Sequence, residues 1–285
     1  MTYKGQVVSS KAGKFFVKTG ENEIICSAKG SLKVKTDGIL IGDFVEIEDK
    51  VIYKVLERKN KLLRPSVSNV DVVVIVTADL PKPDYYLIDK FISNSYLDGI
   101  PCIIAVNKTD ISNNEFDKIY DNYSSCVDKI FPVSAKTGKG TEEFLQFLKN
   151  KTCVFTGQSA VGKTSLVNFL FGENNETGEL SEKTLKGKQT TTCSRIFEKN
   201  GVKIVDTPGF SALNVDILKR KLSSSYPDFE KYSGFCRFND CRHINEPHCA
   251  VIKAVKEKNV NAERYSRYLE IYKNAKENRD YGKKN

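Results

Sequence analysis

The chain has 285 residues and a mass of 32.1 kDa, with 40% hydrophobic residues, 28% charged residues and a net charge of +9. That length accommodates two or three domains of ordinary globular composition, and no apolar run approaches the roughly 18 residues that a membrane span needs. The opening MTYKGQVVSSKAGKFF has no hydrophobic signal core, so a cytoplasmic location without a membrane partner is expected.

The charge is uneven along the chain. Residues 1–65 carry 13 Lys and Arg against 8 Asp and Glu, residues 66–215 carry 16 against 18, and residues 216–285 carry 16 against 10. Basic ends around a slightly acidic middle suit a polyanion, with solubility as the plain alternative. The cysteines are too scattered for a disulfide framework. Cys26, Cys102, Cys126, Cys153 and Cys193 stand alone as expected packed, reduced thiols, whereas Cys236, Cys241 and Cys249 gather around His243 and suggest a metal.

Residues 1 to about 63 read as short strands at Thr2 to Ser9, Lys14 to Lys18, Glu23 to Ala28, Asp43 to Glu48 and Val51 to Leu56, divided by glycine and aspartate turns. Such spacing predicts a small closed barrel of the oligonucleotide/oligosaccharide-binding (OB) type. Phe15, Phe16 and Tyr53 are candidates for stacking on bases or for the barrel core, and Lys14, Lys18, Lys33 and Lys35 for contact with phosphates. A linker is expected at Arg64 to Asn69, where Pro65 stops the last strand.

Val70 to Val76 is a near-continuous apolar run, as a parallel strand covered on both faces requires. A helix over Tyr85 to Leu97 and a second buried strand, Pro101 to Val106, follow. The second strand ends in Asn107-Lys108-Thr109-Asp110, an N-K-x-D guanine signature. Asp110 can accept hydrogen bonds from guanine N1 and N2, Asn107 can brace the loop and the N7 side, and the Lys108 stem can lie over the base. Lys129 to Val133 predicts another strand leading into Ser134-Ala135-Lys136, which in GTPases offers a backbone N–H to guanine O6. Thr141 is the expected N-cap of a helix running to Asn150.

Val154 to Leu166 passes from an apolar strand through a glycine-framed loop into a helix and fits G-x-x-x-x-G-K-[ST]. Gly157, Gln158, Ser159, Ala160, Val161 and Gly162 supply a phosphate-binding loop, Lys163 can reach the β- and γ-phosphates, and Thr164, followed by Ser165, offers a hydroxyl to Mg²⁺. Further on, Gly187 to Thr192 is a polar stretch suited to a switch, in which Thr191 is the expected second Mg²⁺ ligand, with Thr190 and Thr192 as rivals. Val202 to Asp206 predicts a strand ending in Asp206-Thr207-Pro208-Gly209, where Asp206 would hold Mg²⁺ through water and the Gly209 N–H would sense the γ-phosphate. The tail spacing Cys236-x4-Cys241-x-His243-x5-Cys249 offers a closed, structural Zn²⁺ shell, with His248 as a rival imidazole. Around it, Val251 to Glu257 and Ala262 to Glu277 read as basic helices.

All five GTPase motifs are present, but the base-reading pair precedes the phosphate loop, the reverse of the Ras-like order. This resembles a circularly permuted GTPase. With a barrel before it and the cysteine cluster behind, the whole chain is similar to the bacterial family of GTPases that depend on the small ribosomal subunit, the RsgA or YjeQ type. The resemblance implies a multidomain α/β protein: an OB-type barrel over 1–65, a circularly permuted P-loop GTPase domain over 66–215 and an α-helical zinc-binding domain over 216–285. It implies GTP and GDP as substrate and product, Mg²⁺, one structural Zn²⁺ with His243 as the imidazole ligand, and a monomer that binds the small (30S) subunit and its rRNA late in maturation. In the family the last domain helps grip the ribosome, which makes Arg264, Arg267 and Lys273 candidate phosphate contacts. Phe210 stands where Ras-like enzymes place a water-orienting glutamine, and Gln189 stands where family members commonly have a histidine. Gln189 is therefore the catalytic candidate, with slow intrinsic turnover of roughly 10⁻⁴ to 10⁻² s⁻¹ and stimulation by the subunit expected. A GTP-regulated RNA- or protein-binding module in which hydrolysis is incidental is the alternative. Because the last switch runs into the final domain, nucleotide state is also expected to move that domain.

Overall fold

The computed structural model describes residues 2–33, 38–62, 66–172, 195–206, 217 and 219–275, with the backbone alone described at 31, 33 and 206. Strands β1 (Thr2–Lys11), β2 (Lys14–Thr19), β3 (Asn22–Ala28), β4 (Phe44–Glu48) and β5 (Val51–Val55) pair in the order β1-β2-β3-β5-β4, and β4 returns to β1. The sheet thus closes on itself and leaves no edge inside the barrel. A one-turn helix, α1 (Gly30–Lys33), lies between β3 and β4. Val7, Val17, Cys26, Val45, Ile47 and Ile52 fill the interior.

Phe15 packs against the barrel core and Phe16 against the core of the neighbouring sheet, while the Tyr53 hydroxyl donates to Glu46 Oε2 at 3.2 Å. The large hydrophobic side chains turned furthest outward on the barrel strands are Tyr3, Ile25 and Phe44, 48%, 50% and 44% exposed, on strands β1, β3 and β4. Lys18 Nζ is committed to Glu198 at 2.7 Å, so it is a junction residue; the Lys33 side chain and Lys35 lie outside the described residues. β1 shifts register between Val7 and Ser9, and beyond that irregularity Ser9 pairs with Arg195 of β12 (Arg195–Lys199). The bulge lets one strand serve both the barrel and the next sheet.

After a short ribbon, β6 (Lys61–Leu62) with β7 (Val67–Ser68), come β8 (Val72–Ala78), β9 (Cys102–Asn107), β10 (Lys129–Pro132), β11 (Thr152–Thr156) and β13 (Val202–Asp206). Their spatial order is β10-β9-β8-β11-β13-β12, parallel except for β12. The central strand, β11, comes after the three strands on one side of it in sequence, which is the permuted order expected from the motifs. Val73 and Ile75 face one apolar layer, and Val72, Val74 and Val76 face the other. Both layers are needed because β8 is buried along its whole length.

α2 (Tyr85–Leu97) and α3 (Phe116–Tyr123) cover the first layer, and α4 (Thr141–Leu148) and α5 (Lys163–Leu170) the second. Asp84 caps α2 by accepting from Leu87 N at 2.9 Å. The expected cap of α4 is corrected: Gly140 holds that position at φ 70°, and Thr141 is the first helical residue, its hydroxyl donating to Gly138 O at 2.6 Å. A Cβ on residue 140 would lie 2.1 Å from Pro132 O, so the backbone approach to β10 admits only glycine.

The C-terminal helices α6 (Lys219–Leu222), α7 (Pro227–Ser233), α8 (Ala250–Lys256) and α9 (Ala262–Asn274) enclose a third core of Leu222, Tyr226, Phe229, Val251 and Tyr268. Tyr86 and Leu97 of α2 join that core. Arg264 and Arg267 are not phosphate contacts. Arg264 is fully buried, its Nε 3.1 and 3.0 Å from the two Asp228 oxygens and its Nη1 on Asp89, while Arg267 donates to Asp89, to Asn122 Oδ1 at 2.8 Å and to Tyr123 Oη at 3.4 Å. Tyr226 stacks 4.7 Å from the Arg264 guanidinium. The arginines turn inward because α9 presents them to Asp89 of α2 and Asp228 of α7, two buried carboxylates that need cations. Lys273 remains exposed.

Candidate functional site

The phosphate loop lies between β11 and α5 at the C-terminal edge of the parallel strands, the usual place for a ligand in an open α/β sheet. Gly157, Ala160 and Gly162 all have positive φ, at 139°, 64° and 88°. A Cβ on Gly157 would meet Val76 O at 2.0 Å, and one on Gly162 would meet the Asn107 side-chain nitrogen at 2.4 Å, so both glycines are fixed by close neighbours. Val161 is buried in the second apolar layer, whereas Ser159, Ala160, Thr164 and Ser165 are exposed. Lys163 Nζ donates to Gly157 O and Gln158 O, both at 2.7 Å, which holds the ammonium within the curl of the loop. Burial lowers its pKa from the usual lysine value.

The base-reading residues meet that loop through one side chain. Asn107, 2% exposed at the end of β9, donates from Nδ2 to Val161 O at 3.0 Å and to Gly162 O at 3.3 Å, and its Oδ1 accepts from Ala135 N at 3.0 Å. It therefore ties together the phosphate loop and the Ser134-Ala135-Lys136 loop, segments separated in sequence but adjacent here. Lys108, at φ 64°, donates to Ala160 O at 2.7 Å and to Leu80 O at 2.8 Å. Thr109 holds Val133 O through both its N–H, at 3.2 Å, and its hydroxyl, at 3.0 Å.

Asp110 is exposed, and its Oδ1 accepts from the buried Ser134 hydroxyl at 2.6 Å. That hydrogen bond, with the nearby Lys136 charge, lowers the carboxyl pKa and keeps it an acceptor near neutral pH. Of the three N–H groups in the 134–136 loop, Ser134 donates to Lys139 O at 2.9 Å and Ala135 to Asn107, leaving that of Lys136 without a partner among the described residues. Gln189, Thr190, Thr191, Thr192, Gly209 and Phe210 lie outside the described residues, as does the Asp206 side chain at the end of β13.

Sequence reasoning passed over the segment from Asp79 to Asp84, which carries no nucleotide motif. Its backbone accepts Lys108, and it also engages Gln158, whose Oε1 accepts from Asp84 N at 2.9 Å and whose Nε2 donates to Lys82 O at 3.1 Å. The Gln158 side chain is thus spent on this segment. The available signal was a proline pair, Pro81 and Pro83, framed by aspartates at the end of a buried strand.

Cys236, Cys241, His243 and Cys249 bring one ligand atom each to within 4.8 Å of one another. His243 Nδ1 is 3.4 Å from Cys249 Sγ and 3.7 Å from Cys236 Sγ, and the two sulfurs are 3.9 Å apart. A tetrahedral Zn²⁺ shell with ordinary Zn–S and Zn–N distances has edges of about 3.5–3.8 Å, so the group fits the ion. Burial lowers the His243 pKa, favouring the neutral imidazole a ligand must be, and Tyr265 holds the same residue by donating to its carbonyl at 2.8 Å. His248 is exposed and outside the cluster. Among the isolated cysteines, Cys102, Cys126 and Cys153 are free thiols pushed up to about 12 by burial, and Cys26 is a free buried thiol; Cys193 lies outside the described residues. No helix among the described residues is long and apolar enough to cross a membrane.

Comparison with known proteins agrees with this layout. The family model described as RsgA GTPase matches residues 55–216. The chain is 38% identical to the Small ribosomal subunit biogenesis GTPase RsgA of Caldanaerobacter subterraneus, covering 96% of both chains, and 35% identical to the protein of that name from Agathobacter rectalis, covering 97% and 99%. Among solved structures, YjeQ from Thermotoga maritima superposes with a TM-score of 0.82 at 32% identity over 96% of this chain and 98% of that one. A second, entitled YloQ, a circularly permuted GTPase, superposes with a TM-score of 0.77 at 25% identity over 96% and 95%.

Proposed function

This chain belongs to the RsgA GTPase family and is a GTP hydrolase, and from that premise we propose that it binds the small (30S) ribosomal subunit with GTP, contacts its rRNA during late maturation, and leaves after hydrolysis. The names of its relatives assign them to small ribosomal subunit biogenesis. The basic ends of this chain, +5 over residues 1–65 and +6 over 216–285, give a polyanion something to bind.

The observation that carries the nucleotide half is Asn107, bonded at once to the phosphate-loop carbonyls and to the Ala135 N–H. One pocket can then read a base and hold its phosphates. Asp110 accepts from guanine N1 and N2, and the N–H of Lys136 donates to O6, which turns away adenine's amino group. Lys163 exchanges its loop carbonyls for β- and γ-phosphate oxygens. Thr164, Thr191 and Asp206 are the residues that would hold Mg²⁺, which neutralises charge between those phosphates when bound. Gln189 orients the attacking water but is a poor base, so turnover is slow until the subunit completes the site. The Cys236, Cys241, His243 and Cys249 group holds a structural Zn²⁺, and residues 1–65, 66–215 and 216–285 act as the three units of a cytoplasmic monomer.

Co-sedimentation with purified 30S subunits in GTP-analogue and GDP states tests this. Retention with the analogue, release with GDP and a steep loss on raising salt are expected. Binding to unrelated RNA alone, indifferent to nucleotide, would favour a module in which hydrolysis is incidental.

A further inference from the structure

We propose that Asp79 is a positioning residue for guanine recognition, fixing the turn that follows Asp110 and so setting where the Asp110 carboxylate points. The proposal rests on the assignment of Asp110 as the guanine reader. Asp79 directly follows β8 and is 9% exposed. Its Oδ2 accepts from Ser112 Oγ at 2.5 Å and from Asn114 N at 2.6 Å, and its Oδ1 accepts from Glu115 N at 3.2 Å. All three donors lie within five residues of Asp110.

Between Asp110 and Glu115, whose carboxylate also accepts from the Tyr85 hydroxyl at 2.7 Å, that stretch has little else to hold it. Ile111 is 63% exposed, and the backbone bonds of Ile111 and Ser112 return locally to Lys108 O at 2.9 and 3.4 Å. Apolar packing resumes only at Phe116. Two tethers therefore bracket Asp110: Ser134 grips the carboxylate itself, and Asp79 grips the chain just beyond it. The residue after Asp79 adds to the brace, since Leu80 O accepts the Lys108 ammonium on the other side of Thr109.

A plainer role would be to cap α3, whose cap residue, Glu115, makes no side-chain capping bond. Capping stabilises a helix but carries no information about a base, and this separates the two roles. Asp79→Asn keeps the shape while placing an NH₂ group against N–H donors. Ser112→Ala removes one of the three bonds and keeps the carboxylate.

The test measures affinities of the full chain for GDP and for inosine diphosphate, whose base keeps O6 and N1–H but lacks the 2-amino group. Wild type should prefer GDP by about tenfold or more, the worth of a hydrogen bond to a charged acceptor. Asp79→Asn should shrink that ratio by at least about threefold, and Ser112→Ala should shift it in the same direction by less, a misplaced acceptor having lost part of that bond. The GDP-to-GMP ratio should stay unchanged, because the phosphate loop is not touched. If Asp79→Asn does not fold, Ser112→Ala decides alone. A folded variant with a lower melting temperature but the wild-type GDP-to-inosine-diphosphate ratio would make Asp79 a cap and overturn the proposal. If wild type itself does not distinguish the two nucleotides, the assignment of Asp110 fails and the proposal falls with it.

Discussion

The nucleotide pocket and the C-terminal helical unit are both rich in charged and polar side chains, yet they are held together differently. In the pocket, Asn107, Lys108 and Lys163 bond to main-chain carbonyls, so the site is assembled from loop backbone at the ends of buried strands. In the C-terminal unit, Arg264 and Arg267 bond to the side chains of Asp89, Asp228 and Asn122, and the metal group joins residues from a single loop. Backbone-built sites keep their meaning wherever the motif occurs, because spacing alone delivers the groups. A side-chain network acquires its meaning only from what packs opposite.

Five substitutions or treatments probe that difference. The largest effect is expected from taking the metal away. Chelation, or Cys249→Ser, should cost the 219–275 region its cooperative unfolding transition while GDP binding persists, because a metal held by the Cys236, Cys241, His243 and Cys249 group would contribute to the folding of this unit and the pocket is built elsewhere. Circular dichroism alongside nucleotide titration reads both, and loss of GDP binding in parallel would break the contrast. Arg264→Ala should follow, with a loss of about 3–5 kcal/mol in chemical denaturation, since it leaves Asp89 and Asp228 buried with one cation fewer.

Asp110→Asn should weaken GTP binding by about 1.5–3 kcal/mol, the range for a hydrogen bond to a charged group, and leave the melting temperature of the nucleotide-free protein close to wild type. Equal loss of stability would mean that the exposed carboxylate belongs to the fold as well as to the base. The smallest effect belongs to Lys273→Ala. Being exposed, it should change stability by less than about 0.5 kcal/mol, and it should lower the salt slope of 30S binding by about one if it meets a phosphate. Arg267→Ala should do the reverse, shifting stability and leaving the slope alone.

Much of the fold was legible because its signals are local. The helix over Tyr85 to Leu97 is set by a capping aspartate and apolar spacing, and β8, β9 and β11 by runs too apolar for anything but a strand buried on both faces. The permuted order could be read from the sequence of the motifs alone. Barrel closure was expected from five short strands, but which aromatics turn outward was not, because the bulge in β1 and the docking of β12 decide which face Phe16 meets. The inward turn of Arg264 did leave a trace, four residues before Tyr268 and seven before Ile271 on one buried stripe of α9. A basic residue on an apolar stripe signals a buried partner, but not which one.

What the sequence determined by itself was chemistry carried by spacing: a phosphate loop, a guanine signature, and three thiols with an imidazole close enough to share an ion. Only the tertiary structure decided that Asn107 bridges the two loops, that Asp79 reaches the turn beyond Asp110, and that two arginines close the C-terminal unit onto α2. Each of these depends on partners 28 to 178 residues apart in the chain, from Asn107 with Ala135 to Arg267 with Asp89. No local pattern encodes such pairs; they exist because burial of the apolar faces brings those strands and helices together and leaves each polar group to find the partner placed opposite it.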